Sequence, residues 1–206
     1  MLTASEIKNC VRNGDIVITP YDEDQQNGQP NSSDLHLDNI TKVLKKAVNP
    51  FAANPSANYK MYKQSAKADF MKLANISEYY DFLSSNNDEV LSFMEDPCKD
   101  YYILLPGKLY LGSTVESTYT PKHIPCLSNK SSCERLGIDP IGSSGFGDIG
   151  FNGKWTLEIT VKAITILKKG MAIAQIHFYK PKGKIEHTYN GKYQGQQKPT
   201  EGKFTI

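Results

Sequence analysis

Hydrophobic and polar positions alternate along the second half of the chain in a way that is typical of β-strands. Short apolar segments recur from residue 101 onward, with glycine-containing turns between them: YYILLPGKLYLGSTVEST, WTLEITV, ITILKKG and MAIAQIHFY. Alternation with a period of two predicts half-buried strands. Short strands at close spacing predict a mainly β fold built as a sandwich, a jelly roll or a distorted barrel.

The N-terminal segment predicts a short helix followed by strands. Thr3 and Glu6 have the spacing of a capping box, and Ile7 and Cys10 begin a short apolar stripe. The segment DIVITP then predicts a strand that its proline ends, and DLHLDN alternates as a second short strand would.

The middle of the chain has a different composition. ITKVLKKAV and ADFMKLANISEYYDFL have helical spacing, with Asn- and Ser-rich breaks between them. We expect one domain over residues 1–206, with a variable, partly helical insertion at 41–100. The polar tail at 186–206 is poor in aliphatic residues, which is typical of an arm that becomes ordered on another surface.

Composition and charge narrow the class of protein. The chain has 206 residues, 39% of them hydrophobic, and a net charge of +2, which is too small to favour nucleic acid as the partner. No apolar run is long enough for a membrane span, so a cytoplasmic location is expected. The four cysteines form no C-x-x-C pair, which argues against a zinc site.

Two segments contain candidate catalytic or phosphate-binding residues. In GFGDIGFNGKWTLEIT, a glycine-rich corner precedes a strand in which Glu158 lies between Leu157 and Ile159. A carboxylate buried there would suit general acid/base work, whereas an ordinary amphipathic strand would leave it in solvent. In NKSSCERLGI, a serine cap at the start of a short helix would combine with Lys130 and Arg135 to bind phosphate.

The residues of these segments and their order along the chain resemble those of the dCTP deaminase family, which has the trimeric dUTPase-like β fold. DLHLDN resembles the family's D-L-R-L-G, and ILLPGKLYLGSTVES resembles its P-G-x-x-x-L-G-x-T-x-E. SSCERLGI resembles R-S-S-x-x-R-x-G, and GDIGFNGKWTLEI resembles I-D-x-G-[WF]-x-G-x-x-T-L-E. GMAIAQIHF resembles the family's G-M-x-I-x-Q-x-x-F, and KYQGQ resembles the family's C-terminal tail.

The resemblance implies conversion of dCTP and water to dUTP and ammonia without zinc. It makes Glu158 the general acid/base, with Ser131 and Arg135 holding the attacking water and the charge that develops at C4. It places Asp148 on the deoxyribose 3′-hydroxyl, Phe151 against the sugar and Thr156 at the base edge.

The resemblance also implies a nucleotide-binding surface shared between subunits of a homotrimer. Mg²⁺ would be bound through the triphosphate, and the 186–206 arm would close over the site. The sequence leaves open whether dTTP inhibits the enzyme. The residues expected around the triphosphate and base are Lys130, Ser131, Ser132, Arg135, Gln175, Tyr189, Lys192 and Gln196.

Two positions depart from the family pattern. Lys130 stands where arginine is usual, which replaces a bidentate phosphate contact with a point charge. Glu134 stands where a small or apolar residue is usual, and the sequence suggests no reason for it.

Three alternative functions remain open at this point. A bifunctional enzyme would carry dCTP through dUTP to dUMP and pyrophosphate, with Asp148 or the 142–145 loop serving a second water. A plain dUTPase would share the fold, although KYQGQ and the glutamate after T-L are typical of deaminases. A non-catalytic trimer that binds a nucleotide or a regulator would also share it.

Overall fold

The computed structural model describes residues 1–26, 29–43, 101–163 and 165–203. Three helices and nine strands lie in that part of the chain. The helices are α1 (Ala4–Arg12), α2 (Glu23–Gln26) and α3 (Ser131–Arg135). The strands are β1 (Val17–Thr19), β2 (Ser33–Val43), β3 (Tyr101–Leu104), β4 (Tyr110–Tyr119), β5 (Ile124–Asn129), β6 (Ile138–Asp139), β7 (Asn152–Val161), β8 (Thr165–Lys168) and β9 (Ala172–Tyr179).

The main sheet of the described residues is organised around β4. Its order is β5, β9, β2, β4, β7, β6, and β1 also pairs with β4. One edge of β4 pairs with β7, and the other pairs with β2 and then β1, all antiparallel. The strands β3 and β8 form a separate two-stranded sheet.

The two ends of the main sheet approach each other. Residues 145–147 lie beside β5, where Leu127 N–H donates to Gly145 O at 2.6 Å and Gly147 N–H donates to Pro125 O at 2.9 Å. These residues lead directly into β7, at the other end of the sheet. The described part of the chain therefore forms a nearly closed barrel, and the predicted mainly β fold is confirmed.

The core fills the inside of this barrel with aliphatic and aromatic side chains. Leu35 and Leu37 of β2 and Leu157 and Ile159 of β7 are fully buried, as the period of two requires. Other fully or nearly fully buried side chains are Ile7, Ile16, Tyr102, Leu104, Tyr110, Leu167, Ile173, Ile176 and Phe178.

The predicted N-terminal helix is confirmed, but its cap differs from the prediction. Thr3 is the N-cap residue, yet its side chain makes no capping hydrogen bond. Its hydroxyl lies 3.1 Å from Ser5 Oγ instead. The helix is held by burial of Ile7 and Cys10.

One expectation about the middle of the chain is wrong in part. Residues 41–43, which have helical spacing, are the end of β2, because Lys42 and Val43 pair with Leu111 and Tyr110 of β4. Tertiary pairing here overrides local propensity. The remainder of the predicted insertion, 44–100, lies outside the described residues.

The segment YYILLPGKLYLGSTVEST does form two strands with a turn between them, but not a hairpin. Tyr102 of β3 pairs with Leu167 of β8, whereas β4 joins the main sheet. The two strands lie where the sequence predicts them, and their partners are set by residues far away in the chain.

A largely buried ion pair between His36 and Glu116 joins β2 to β4. His36 Nδ1 lies 2.5 Å from Glu116 Oε1, and the His36 backbone N–H donates to Glu116 Oε2 at 2.8 Å. The side chains are 25% and 7% exposed. The hydrogen bond to Glu116 raises the pKa of His36, and it outweighs the opposing effect of burial.

This raised pKa predicts a loss of stability at alkaline pH. The stabilisation from His36 is fully present below the ordinary pKa of about 6.5 and is lost as pH rises through the folded-state pKa. We expect the free energy of unfolding in urea to fall by on the order of 1 kcal/mol over that rise. His36→Asn should remove this pH dependence, whereas His187→Asn, at an exposed position, should leave it intact. An unchanged pH dependence in His36→Asn would contradict the assignment.

Candidate functional site

The predicted general acid/base, Glu158, lies in the middle of β7 on the face opposite the core. Its neighbours Leu157 and Ile159 are fully buried, whereas Glu158 is exposed in the single chain. The expected burial between those two residues is therefore wrong within one subunit, because successive strand side chains point to opposite faces. The carboxylate is open to solvent or to a further molecule.

A tight turn approaches this carboxylate. A Cβ atom at Gly142 would lie 3.4 Å from Glu158 Oε2, and Gly142 has a φ of +64°. A positive φ of this size favours glycine, and a Cβ atom here would just reach van der Waals contact with the carboxylate. The turn is held by Asp139 Oδ1, which accepts from Gly142 N–H at 3.0 Å and from Ile141 N–H at 3.2 Å.

The serine–arginine segment forms α3. Ser131, Ser132 and Arg135 are exposed, whereas Cys133 is buried. Burial raises the pKa of the Cys133 thiol, so this cysteine is a packing residue and the helix presents its other side chains outward. The expected serine cap is wrong, because the N-cap position belongs to Lys130.

Lys130 and Gln175, two residues predicted to bind the nucleotide, meet at Asp34 of β2. Lys130 Nζ lies 2.5 Å from Asp34 Oδ2, and both side chains are about four-fifths buried, being 18% and 21% exposed. Gln175 Nε2 donates to Asp34 Oδ1 at 3.2 Å and to Gln29 Oε1 at 3.0 Å. Sequence analysis missed Asp34, whose only signal was its place in the D-L-x-L segment.

A cavity of about 410 Å³ lies beside Asp34. Its volume is within the range of small-molecule sites, and its lining includes His36 and Glu116. The Tyr21 hydroxyl is buried without a partner among the described residues. The complete lining is Ile18, Pro20, Tyr21, Asp22, Ser33, Asp34, His36, Val115, Glu116 and Gly170.

The tail runs along the first half of β7. Lys154 N–H donates to Gln196 O at 2.9 Å, Gly195 N–H donates to Asn152 O at 2.7 Å, and Gln196 Nε2 donates to Lys154 O at 2.8 Å. Further along, Thr200 N–H donates to Thr156 Oγ1 at 3.1 Å. The tail thus follows β7 as irregular backbone, and it makes a hydrogen bond to the hydroxyl predicted to contact the base.

The tail also completes an aromatic cluster. The Phe151 ring lies 4.6 Å from that of Trp155 and 5.8 Å from that of Tyr189, measured between centroids. The predicted residues Phe151 and Tyr189 are therefore brought together. Asp148 is exposed nearby, and exposed Lys192 contacts the backbone oxygen of Lys203.

The predicted site residues thus form separate groups within one chain. One group is Lys130 and Gln175 around Asp34, and another is Phe151, Thr156, Tyr189 and Gln196 along β7. None of the hydrogen bonds or ring contacts described above joins the two groups.

Over residues 1–26, 29–43, 101–163 and 165–203, no three His, Cys, Asp or Glu side chains lie together in a way that could hold a metal ion. In the same ranges, no helix is both long and apolar enough to cross a membrane.

Comparisons with known proteins identify the family of the chain. The family model described as "dCTP deaminase-like" matches residues 1–181. The chain is 34% identical to "dCTP deaminase, dUMP-forming" of Hathewaya histolytica over 194 residues, which cover 94% of this chain and 91% of that protein. It is 32% identical to the protein of the same name from Clostridium acetobutylicum, over 96% of this chain and 92% of that protein.

Among solved structures, the chain resembles 2′-deoxycytidine 5′-triphosphate deaminase from Agrobacterium tumefaciens. The TM-score is 0.53 at 18% identity, and the match covers 87% of this chain and 47% of that chain. This likeness supports the fold alone. The family match over residues 1–181 and the two relatives confirm the predicted membership: the chain belongs to the dCTP deaminase-like family.

Proposed function

We propose that the protein is a dCTP deaminase that replaces the 4-amino group of dCTP with oxygen from water. The observation that carries this proposal is the carboxylate of Glu158, which stands exposed on β7 beside the Gly142 turn in a chain of this family. It is supported by the names of the two relatives, which are both called dCTP deaminases.

The chemistry needs one group that both accepts and donates a proton. Water adds to C4 of cytosine as Glu158 accepts its proton, and that proton passes to N3. Glu158 then takes the remaining proton from the new C4 hydroxyl and passes it to N4, and the C4–N4 bond breaks to release ammonia and leave the 4-oxo group. Ser131 and Arg135 hold the water and the developing charge. General acid/base catalysis of this kind contributes roughly 10²- to 10⁴-fold, and positioning supplies the remainder.

We assign triphosphate binding to the region of Lys130 and Gln175. Lys130 is neutralised by Asp34 in the single chain, so an incoming phosphate would compete with that carboxylate for the ammonium. Mg²⁺ would reach the site on the triphosphate oxygens, since hard cations prefer oxygen ligands. The proton transfers are assigned to Glu158 and not to a zinc-bound water.

The final product of the reaction is either dUTP or dUMP, and the names of the two relatives favour dUMP. Both bear the name "dCTP deaminase, dUMP-forming". In this case dUTP stays bound, and a second water attacks the α-phosphate to release pyrophosphate. Asp148 and residues 142–144 of the 142–145 loop are exposed, and we assign that water to this region.

We further propose a homotrimer in which each site is built by two chains. The separation of the predicted residues into distinct groups supports this arrangement. So do two large apolar side chains that are open to solvent next to the site segments, Leu136 after α3 (70% exposed) and Phe146 in the glycine corner (73% exposed). Burial of these two side chains against another chain would remove apolar surface from water, which favours association.

Substitution of the acid/base tests the activity directly. Wild type, Glu158→Gln and Glu6→Gln would be incubated with dCTP and Mg²⁺, and the products separated by anion exchange. We expect ammonia with dUTP or dUMP from wild type and a loss of roughly 10²- to 10⁴-fold in Glu158→Gln. Glu6 is exposed in α1, so its variant should match wild type.

The products distinguish the alternatives. Pyrophosphate and dUMP without free dUTP would identify the dUMP-forming reaction. Turnover of dUTP with dCTP untouched would contradict deamination and identify a dUTPase, and binding without turnover would identify a binding protein. A parallel series with EDTA tests the need for Mg²⁺, and one with dTTP tests inhibition.

A mixing experiment tests the shared site. Arg135→Ala and Glu158→Gln are each expected to be inactive alone. If Arg135 and Glu158 of one site come from different chains, then unfolding and refolding a 1:1 mixture should restore about a quarter of the wild-type sites. No recovery from a mixture shown by light scattering to be trimeric would place both residues in one subunit.

A further inference from the structure

A side chain outside the predicted site joins the two segments on which that site depends. Asn129, the last residue of β5, donates from Nδ2 to Glu134 Oε1 of α3 at 3.1 Å. The same nitrogen donates to Asp139 Oδ1 of β6 at 3.0 Å. A primary amide has two N–H donors, and these two bonds use both.

The charges of its partners fix the orientation of this amide. Ionised carboxylates only accept hydrogen bonds, so a flipped amide would place its oxygen against two anionic oxygens. In the observed orientation Asn129 Oδ1 is buried and has no partner among the described residues. The two charge-assisted bonds offset that cost.

The two hydrogen bonds of Asn129 form a bridge between Glu134 and Asp139. The Asp139 end of this bridge lies near Glu158. Asp139 Oδ1 accepts from Gly142 N–H as well as from Asn129. Gly142 in turn lies close to Glu158 Oε2, since a Cβ atom on it would be in van der Waals contact with that oxygen at 3.4 Å. The position of Asp139 therefore sets how closely the turn approaches the carboxylate.

The other end leads to the serine–arginine helix. Glu134 immediately precedes Arg135, and α3 has only five residues. So short a helix has little stability of its own, and its position depends on tertiary contacts. The bond from Asn129 to Glu134 is such a contact, and it gives a physical reason for an acidic residue where the family pattern has a small or apolar one.

We propose that Asn129 is a positioning residue for the deaminase reaction. Through Glu134 it holds Arg135 in place, and through Asp139 it holds the turn beside Glu158. This inference rests on the proposed function. It assigns Asn129, Glu134 and Asp139 no contact with the substrate, only control over where the catalytic groups lie.

The two ends of the bridge should have different kinetic effects. Glu134→Ala should raise KM for dCTP by about 10-fold and lower kcat as well, because it releases the helix that follows Lys130 and carries Arg135. Asp139→Ala should lower kcat by about 10-fold, because it releases the turn beside the acid/base. The conservative variants Glu134→Gln and Asp139→Asn retain an accepting oxygen and should recover most of each loss.

Substitution of the central amide tests the coupling. Asn129→Ala should change both parameters, and adding Glu134→Ala to it should raise KM no further, since the bond is already absent. Asn9→Ala, an exposed asparagine in α1, is the matched control. Glu134 is also exposed, so its variants keep the test valid if Asn129→Ala does not fold.

Each result has a distinct meaning. Active wild type with unchanged KM and kcat in Glu134→Ala and Asp139→Ala overturns this inference and leaves the proposed function intact. A lowered melting temperature with unchanged kinetic parameters also overturns it, since a merely structural role would produce that result. Wild type that neither converts dCTP nor gains thermal stability from it overturns both.

Discussion

The pairing of β4 with three strands is the constraint on which the rest of the fold depends. β7 lies along one edge of β4, while β2 and β1 share the other edge. Gly112 lies where β2, β4 and β7 meet, and a Cβ atom there would be 3.0 Å from Ile159 Cδ1 and 3.3 Å from Leu37 Cδ1. Close approach at this point sets the register of β7, and the register decides that Glu158 faces outward.

The polar face of β2 holds neighbouring elements in place through ion pairs. Asp34, His36 and Asp38 lie at alternate positions, opposite the buried Leu35 and Leu37. Each of the three has a charged partner on another element, which is Lys130, Glu116 and Lys154 respectively. Burial tends to raise the pKa of Asp38, but its hydrogen bonds to Lys154 and Lys169 outweigh burial and hold that pKa low. One face of a single strand thus ties together the end of β5, β4 and β7.

Helices and strands could be predicted from the sequence, whereas contacts between residues far apart in the chain could not. The strand at 152–161 and the helix at 4–12 follow from periodicity, which is a property of neighbouring residues. The Asp34–Lys130 pair joins positions 96 residues apart, and nothing in either segment indicates the other. The same limit explains why residues 41–43 are strand and why the sequence analysis did not single out Asn129. The family resemblance supplied the site residues, but not their surroundings.

The tail along β7 has a consequence for solubility. A strand edge with free N–H and C=O groups is a template for pairing with another chain. Here the backbone of residues 195 and 196 occupies those groups at Asn152 and Lys154. The segment that reads as a polar, weakly structured arm therefore also caps the sheet. A chain shortened before this segment would present a bare edge, and self-association through that edge would compete with correct assembly.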